Sequence, residues 1–550
     1  MGEVLGEYLV GMCELAPSIF DKKHFKEGLR LALHEIKVDA PENFLPSRRT
    51  VMRRIKQKSD KCRNETKADI SAVLIKNPET RFTIQFDDGL LKHGTKENMR
   101  AIIVSWINED KGVERRFIKV SPEADKSSDS LKKTIEDVVA EYGIPDDYIL
   151  LSDAAAANMK LSSGTDRLHP TCGDHMNHNA FENGLKQNSK KDMDFRDFYD
   201  AIQKTLEKGS RKHINQKMLE QDGWHKLKGT VNTRWASLID ACESLLHNWD
   251  ILEAHPDLKK SALFRKKNGK QVYQKSDMNE FVAMISPFRK SIKMLEGYKQ
   301  SSGHLMAMEL QNLLVFYINY NAVVENPQML RNLAQEFVIQ IEHYFDGLQT
   351  ANGKQQKMKR IDETRVIQTA LYIPSNMLEF FNCDNIKDEA KRPSIKLRYE
   401  RLNKEFDAAM TKHDDLPSNE SCNSSGSSLF RQSFGKSSLE TQLFLFSDLT
   451  QKYQSSPEHE WPSALTQFHA NLNNGLDANT IFWLSQYAKD TFPLLRKIVM
   501  PLLPVSASTS MIEGTFSHCN QIRRPHRSKL LPENLDNFLV IHYSRVLTDH

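Results

Sequence analysis

Residues 81–151 alternate apolar and polar positions in a way that predicts β-strands. In Arg81–Asp87 every second residue is apolar, which places the apolar side chains on one face of a strand and the polar side chains on the other. Apolar runs at Met99–Ile107 and Arg116–Val120 predict two more strands. Helically spaced apolar residues follow and stop at Gly143, and Tyr148–Leu151 is predicted to be a short buried strand.

This order of three strands, a helix and a fourth strand is the order of an RNase H-like core. Asp87 lies on the first predicted strand and Asp153 lies just past the fourth. In an RNase H-like core these two strands are central neighbours, so the two aspartates are expected to lie close together. The predicted fold class is therefore α/β, with an RNase H-like core interrupted by a large all-helical insertion and followed by a C-terminal helical dimerisation segment.

The rest of the chain has mainly helical patterns. Residues 25–36 place apolar side chains on one helical face, and residues 176–500 are mostly helical apart from a Ser-, Asn- and Gly-rich stretch at 414–438 that predicts a flexible loop. We predict a helical region at 1–75, the first part of the core at 76–190, a helical insertion at 191–480, and a C-terminal region at 481–550 that returns Glu513 to the core.

A basic helix is predicted ahead of the strands. Pro46 and Ser47 suit a helix start, and the segment LPSRRTVMRRIKQKSDKCR carries eight Lys or Arg residues. Two interpretations are open, a solvated helix face and a DNA-facing surface. The residues concerned include Arg48, Arg49, Arg53 and Arg54.

Composition restricts the class of protein. The 550 residues have 39% hydrophobic and 27% charged content and a net charge of only +4, so any contact with nucleic acid must come from local basic patches. The seven cysteines form no CxxC pair, which favours a reducing compartment. A signal peptide is not expected, and neither is an apolar run of the ~18–20 residues that span a bilayer. The chain is expected to be intracellular, to have no membrane partner, and to be nuclear because its basic clusters suit nuclear import.

The segment from Ser506 to Tyr543 contains a polar turn, a helix bearing Glu513, a basic hinge broken by proline, and a second helix opened by Pro532. Glu513 lies far downstream of Asp87 and Asp153. Carboxylates that are scattered along a chain but meet in space are how proteins hold divalent metals for phosphodiester chemistry.

The chain resembles the hAT superfamily of cut-and-paste DNA transposases. Six segments match family motifs in the family's order. They are LPSRRTVMRRI before the core, TIQFDDG and LLSDAAAANM around the two aspartates, CGDHMNH for the CxxH element, NTRWASL for the Arg-Trp element, and IEGTFS followed by RSKLLPENLDNFLVIHY for the C-terminal region.

The resemblance implies that Asp87, Asp153 and Glu513 hold two Mg²⁺ or Mn²⁺ ions for DNA cleavage and strand transfer, with Asp88 as the alternate for Asp87. No zinc is expected, because Cys172 and His175 have no second pair at suitable spacing. The implied DNA contacts come from His175, Arg234, Trp235, Arg524 and Arg527, and Trp235 would stack on a flipped base. The implied dimer uses Leu535, Phe538, Leu539 and Tyr543.

Departures from the family pattern support a second hypothesis. Leu90 and Leu91 stand where the family has Trp and a hydroxyl residue, Ala154 replaces a common Asn, and Gly514 replaces the common Arg. The N-terminal zinc finger of the family has no counterpart. The alternative is a catalytically inactive, domesticated transposase that acts as a dimeric DNA- or chromatin-binding factor.

Each candidate residue also has a purely structural interpretation. The pair Asp88-Gly89 is typical of a turn, Asp153 could be a helix N-cap, and Ser510 with Glu513 matches a capping box. Trp235 could belong to a helical core, the basic hinge could be a solvated connector, and the last helix could pack within its own chain.

Overall fold

The computed structural model describes most of the chain from residue 47 to residue 546. The described residues are 47–91, 97–123, 125–162, 165, 167–210, 224–230, 237–255, 261–267, 270–296, 302–346, 348–349, 355–356, 363–372, 386–414, 439–474, 476–523 and 530–546. The predicted helix at 25–36 and nearly all of the predicted loop at 414–438 lie outside them.

The chain divides into two compact units. The first comprises Met1–Pro170, Thr480–Asp490 and Arg496–His550, and the second comprises Thr171–Asn479 and Thr491–Leu495. The C-terminal residues therefore fold with the N-terminal strands, although more than 300 residues of the second unit separate them in sequence.

Helices dominate a mixed α/β structure. The helices are α1 Arg48–Lys76, α2 Ser128–Tyr142, α3 Ala156–Lys160, α4 Gly173–Lys191, α5 Met193–Gly209, α6 Ser237–His247, α7 Trp249–Ala254, α8 Lys275–Leu295, α9 Leu305–Ala322, α10 Gln328–Asp346, α11 Glu363–Ala370, α12 Arg392–Asp414, α13 Leu439–Ser455, α14 Ser463–Asn473, α15 Ala478–Leu484, α16 Gln486–Thr491, α17 Pro493–Val499, α18 Ser510–Ile522 and α19 Pro532–Val546. The strands are β1 Thr83–Leu90, β2 Asn98–Asn108, β3 Gly112–Pro122, β4 Ile149–Leu151, β5 Lys266–Lys267, β6 Lys270–Gln271, β7 Leu348–Gln349 and β8 Gln355–Gln356.

The first unit is built on a four-stranded mixed sheet in the order β3-β2-β1-β4. β1 pairs antiparallel with β2 and parallel with β4, and α2 makes the connection that the parallel pair requires. All four predicted strands and the predicted helix between the third and fourth are confirmed. That helix ends at Gly143, whose φ of 65° is the left-handed conformation of a helix C-cap.

The two faces of this sheet carry separate apolar cores, as the alternation along β1 predicts. Phe82, Ile84 and Phe86 face a core completed by α2. The opposite face, which includes Ala101 and Ile103 of β2, forms a second core with α18 and α19. A carboxylate on β1 can therefore reach α18 only if it lies on the second face.

Helix α1 begins where the sequence predicts. Ser47 is the N-cap, and its hydroxyl accepts a hydrogen bond from the Thr50 amide at 3.2 Å. Val51 and Ile55 are buried in the core that α18 and α19 share, while Arg49 and Arg53 are exposed on another side of the helix. The side chain of Arg48 is not among the described features, and Arg54 is half-buried.

The last helix packs within the first unit. Leu535, Phe538, Leu539 and Tyr543, the residues of the implied dimer, are all buried, and the Tyr543 ring stacks on Phe117 of β3 with centroids 5.3 Å apart. The structure therefore gives this apolar face a partner in its own chain, which was one of the two interpretations of the pattern.

A buried carboxylate fastens α19 to the sheet. Asp536 accepts hydrogen bonds from the Val120 amide at 2.8 Å and from the Arg63 guanidinium at 2.5 Å. Burial raises the pKa of Asp536 to about 6, although Arg63 and the Val120 amide act in the opposite direction.

The second unit is mainly helical, with an aromatic core. Phe181 of α4, Phe288 of α8, Tyr317 of α9 and Phe337 of α10 are buried against one another, with the Phe288 and Phe337 centroids 5.0 Å apart. Across the parts of both units that the structure describes, none of the helices combines the length and apolar character needed to cross a membrane.

Candidate metal centre

Asp87 lies near the end of β1 on the face that packs against α18. The alternation of β1 places Asp87 with Thr83 and Gln85, opposite Phe86, and its side chain is only 9% exposed. Its own Oδ1 accepts a 2.8 Å hydrogen bond from the Asp88 amide. The turn interpretation of Asp88-Gly89 is wrong, because β1 continues through Gly89 to Leu90, paired with β2.

Asp88 points to the opposite face and has a structural role. Its two carboxylate oxygens accept hydrogen bonds from Arg100 Nε at 2.8 Å and Nη2 at 3.0 Å. Arg100 is 1% exposed and also contacts Glu123 at 2.9 Å. Such a bidentate, buried pair occupies both Asp88 oxygens. Of the two alternates, the geometry therefore favours Asp87 for any site on the α18 face.

Glu513 lies in the first turn of α18 and is half-buried. The capping-box interpretation is wrong, since the helix N-cap is Thr509, which makes no side-chain capping bond, and Ser510 is the first helical residue. The Ser510 amide instead donates to the Ser508 hydroxyl at 2.8 Å.

A glycine sets how close α18 comes to β1. A Cβ added at Gly89 would lie 2.4 Å from Cγ of Phe516, so the Phe516 ring occupies the space that any other residue would fill. Phe516 is one helical turn beyond Glu513, so this contact brings the glutamate to the end of β1.

The structure brings two of the three predicted carboxylates together. Asp87 and Glu513 each offer an oxygen, and these oxygens lie within 4.8 Å of each other. The residues are distant in sequence and come from a strand and a helix of the same unit. Carboxylate oxygens at this separation can both bind one divalent cation.

Asp153 lies at the corresponding end of the neighbouring strand. Gln85 of β1 pairs with Leu151 of β4, where the parallel pairing ends, and Asp87 and Asp153 each follow two residues later. Adjacent strands lie ~4.8 Å apart, which puts both aspartates at one edge of the sheet. Within the described parts of the first unit, however, Asp153 does not lie within 4.8 Å of both Asp87 and Glu513.

The Asp153 carboxylate is held by one oxygen. Its Oδ1 accepts hydrogen bonds from the Ala155 amide at 3.0 Å and from Asn158 Nδ2 at 2.5 Å. Among the residues that the structure describes, Oδ2 makes no hydrogen bond, so it is available to another ligand. The N-cap interpretation is wrong, because the short helix α3 has Ala155 as its N-cap.

Some of the other predicted DNA-contacting residues lie in the first unit, some lie in the second, and the rest are not among the described residues. His175 lies in the first turn of α4 in the second unit, and Arg49 and Arg53 are exposed on α1 in the first. Arg234, Trp235, Arg524 and Arg527 lie outside the described residues. Arg523, at the start of the basic hinge, is 4% exposed and forms an ion pair with Glu97 at 2.8 Å.

Sequence reasoning missed the residues that support the aspartates. Arg100 was visible as a lone charge within the apolar strand MRAIIVSWI, a pattern that calls for a buried carboxylate partner. Ser152 and His169, which hydrogen-bond next to Asp153, gave no sequence signal, because nothing local links residues 17 positions apart.

Comparison with known proteins does not identify a family for this chain. Neither the comparison with protein-family models nor that with curated proteins finds a match.

The donor set fits a hard divalent cation. Asp87, Glu513 and Asp153 offer carboxylate oxygens, which Mg²⁺ and Mn²⁺ prefer, and thiolate ligands that would favour softer metals are not among them. Asp87 is flanked by Glu513 on the helix side and by Asp153 on the strand side. A two-metal site with ions ~3.5–4 Å apart can be shared by a central carboxylate, so the outer two carboxylates need not touch.

Proposed function

We propose that this chain is a hAT-like, transposase-related protein with an RNase H-like core, which binds DNA and uses Asp87, Asp153 and Glu513 to hold Mg²⁺ or Mn²⁺. The observation that carries the proposal is the approach of the Asp87 and Glu513 carboxylates to within 4.8 Å in one compact unit. The strand order β3-β2-β1-β4, with an antiparallel hairpin and a parallel fourth strand, supports the fold assignment.

The bound ions would activate the attacking oxygen and stabilise the leaving oxygen of a phosphodiester. The residues of the chain have simpler tasks. Asp87 holds the centre of the site from a rigid strand, Glu513 is held against it by the contact between Phe516 and Gly89, and Asp153 keeps Oδ2 oriented by anchoring Oδ1.

DNA binding is proposed from charge rather than from the metal site. Arg49 and Arg53 are exposed one helical turn apart on α1, in the geometry for contacting successive phosphates. We also propose that the protein acts as a homodimer in the nucleus. Because the four apolar residues of α19 are buried in the chain, the dimer would use other surfaces or exchange α19 between copies.

Metal binding tests the site directly. Calorimetric titration of Mn²⁺ into the full chain should show binding that is lost in Asp87→Asn and Glu513→Gln. The matched control is Asp110→Asn, since Asp110 is a surface carboxylate paired with Lys76 at 3.0 Å. Equal Mn²⁺ affinity in all four proteins would contradict the metal centre.

Cleavage tests the enzyme hypothesis. The full chain should nick supercoiled DNA that carries candidate terminal repeats in the presence of Mg²⁺ or Mn²⁺, and Asp153→Ala should abolish nicking. If metal-dependent nicking never appears although Mn²⁺ binds, the enzyme hypothesis is abandoned.

The second candidate function is a catalytically inactive, domesticated transposase that acts as a dimeric DNA- or chromatin-binding factor. The observation that favours it is that Asp153 Oδ1 already accepts hydrogen bonds from within the chain, and that Asp153 is not within 4.8 Å of both Asp87 and Glu513. This protein would bind DNA with a strong salt dependence and without a requirement for metal.

A further inference from the structure

A buried histidine lies behind the Asp153 turn. His169 is 9% exposed and Ser152 is fully buried, and His169 Nε2 lies 2.9 Å from the Ser152 hydroxyl oxygen. The segment containing His169 is held beside β4, since the Leu150 amide donates to the Leu168 carbonyl at 3.0 Å. The His169 ring also packs near Phe86 of β1, with centroids 6.0 Å apart.

The direction of these hydrogen bonds follows from counting protons. The Ser152 hydroxyl has one proton and donates it to the Asp153 carbonyl at 2.8 Å. The 2.9 Å bond between Ser152 and His169 must then be donated by His169 Nε2–H. In the neutral ring Nδ1 is an acceptor, and the Ser162 hydroxyl can donate to it at 3.2 Å in preference to the Met159 carbonyl, which lies further away at 3.5 Å.

This network fixes the backbone at the metal-facing aspartate. His169 orients the Ser152 hydroxyl, and this hydroxyl donates a hydrogen bond to the backbone carbonyl of Asp153. The Ala155 amide and Asn158 Nδ2 hold Oδ1 from the other side. Backbone and side chain of Asp153 are thus both restrained, which is how groups behind a metal ligand raise its affinity.

We propose that His169 is a positioning residue that, through its Nε2–H and Ser152, holds Asp153 in the orientation needed for the divalent-metal site; this inference rests on the proposed function. The proposal assigns the positioning of Asp153 to one ring nitrogen of His169. Nε2 carries the link to Asp153, whereas Nδ1 contacts Ser162 only as a peripheral support.

Two amide substitutions separate the two nitrogens. In His169→Gln the amide nitrogen reaches the place of Nε2 and can still donate to Ser152, whereas in His169→Asn it reaches only the place of Nδ1. We expect His169→Gln to retain Mn²⁺ affinity and His169→Asn to lose roughly 10-fold to 100-fold, the usual effect of removing a group that orients a metal ligand. Ser152→Ala should behave like His169→Asn, and Ser162→Ala like the unchanged protein.

Hydrogen exchange gives a readout that does not need metal. The Ala155 amide donates to Asp153 Oδ1, so its exchange in the full chain should accelerate about 10-fold or more in His169→Asn and Ser152→Ala but not in His169→Gln or Ser162→Ala. Calorimetric Mn²⁺ titration of the same proteins completes the comparison.

The outcomes are distinguishable. If His169→Asn and His169→Gln match the unchanged protein, or if both lose equally, the assignment to Nε2 is overturned. If the unchanged protein binds no Mn²⁺, the proposed metal function fails, and the exchange rates still decide whether His169 holds Asp153.

Discussion

The contact between Gly89 and Phe516 makes a specific prediction about how stability and metal binding are linked. A Cβ at residue 89 would lie 2.4–2.7 Å from three ring atoms of Phe516, closer than van der Waals contact allows. Phe516 is 8% exposed, so its ring cannot simply turn into solvent. In Gly89→Ala, α18 must therefore move away from β1 and carry Glu513 with it.

The magnitude follows from overpacking. Forcing one methyl group into a well-packed core usually costs about 1–3 kcal/mol, and we expect that range for Gly89→Ala. Gly514 supplies the matched control on the same helix, because a Cβ there meets nothing within 4 Å. In an exposed helical position Gly→Ala should stabilise by about 0.5–1 kcal/mol, so the two substitutions should have opposite signs.

Amide hydrogen exchange is the suitable assay, since it reports local free energies in a chain with two compact units. Exchange should rise across Thr83–Leu90 in Gly89→Ala, and Mn²⁺ affinity should fall at the same time. Adding Phe516→Leu to Gly89→Ala should restore part of both, with a coupling of about 0.5–3 kcal/mol. Equal effects of Gly89→Ala and Gly514→Ala, or additivity with Phe516→Leu, would refute the reasoning.

Three further predictions concern charged residues. Asp536 has a folded-state pKa of about 6, above its ordinary value of 3.8, so the folded chain binds this proton more tightly than the unfolded chain. The stabilisation from this proton is complete below about pH 4 and is lost as the pH rises through 6. In urea unfolding, the free energy of unfolding of the unchanged protein relative to that of Asp536→Asn should therefore increase by up to about 3 kcal/mol as the pH is lowered from 7.5 to 4. Asp88→Ala should destabilise the first unit by about 1.5–3 kcal/mol, because it removes the bidentate hydrogen bonds of the buried Arg100, which keeps Glu123 as a partner; exchange protection in β2 measures this loss, and unchanged protection would contradict it. Arg49→Gln and Arg53→Gln should each lower the slope of log DNA affinity against log salt by about 1, measured by fluorescence anisotropy, and an unchanged slope would remove α1 from the interface.

The strands were predictable because each has its own pattern of burial, but their ends were not. β1 was predicted to stop at Asp87 and continues to Leu90. Asp and Gly residues disfavour strands locally, so the continuation depends on partners from elsewhere, namely the pairing with β2 and the ring of Phe516 over Gly89. Such long-range contacts leave no mark in the local sequence.

The same distinction applies to the site. The period of two along β1 correctly separates Asp87 from Asp88 and gives each a face of the sheet. The pairing of Asp88 with Arg100 depends on the register between β1 and β2, and the approach of Glu513 depends on the path of the whole chain. The spacing of residues along the sequence predicts neither the Asp88–Arg100 pair nor the approach of Glu513 to Asp87. The expectation for Glu513 came from family resemblance; the structure brings its carboxylate within 4.8 Å of that of Asp87, and metal binding there stays a prediction.

The two neighbouring aspartates show how charge separates a structural carboxylate from a candidate functional one. Asp88 faces a buried guanidinium, which offsets the cost of desolvating both groups through a bidentate contact. Asp87 and Glu513 offer oxygens within 4.8 Å of each other, an arrangement that can hold a divalent cation. We therefore propose that these two acids, with Gly89 making room for the approach of α18 to β1, form part of a divalent-cation site.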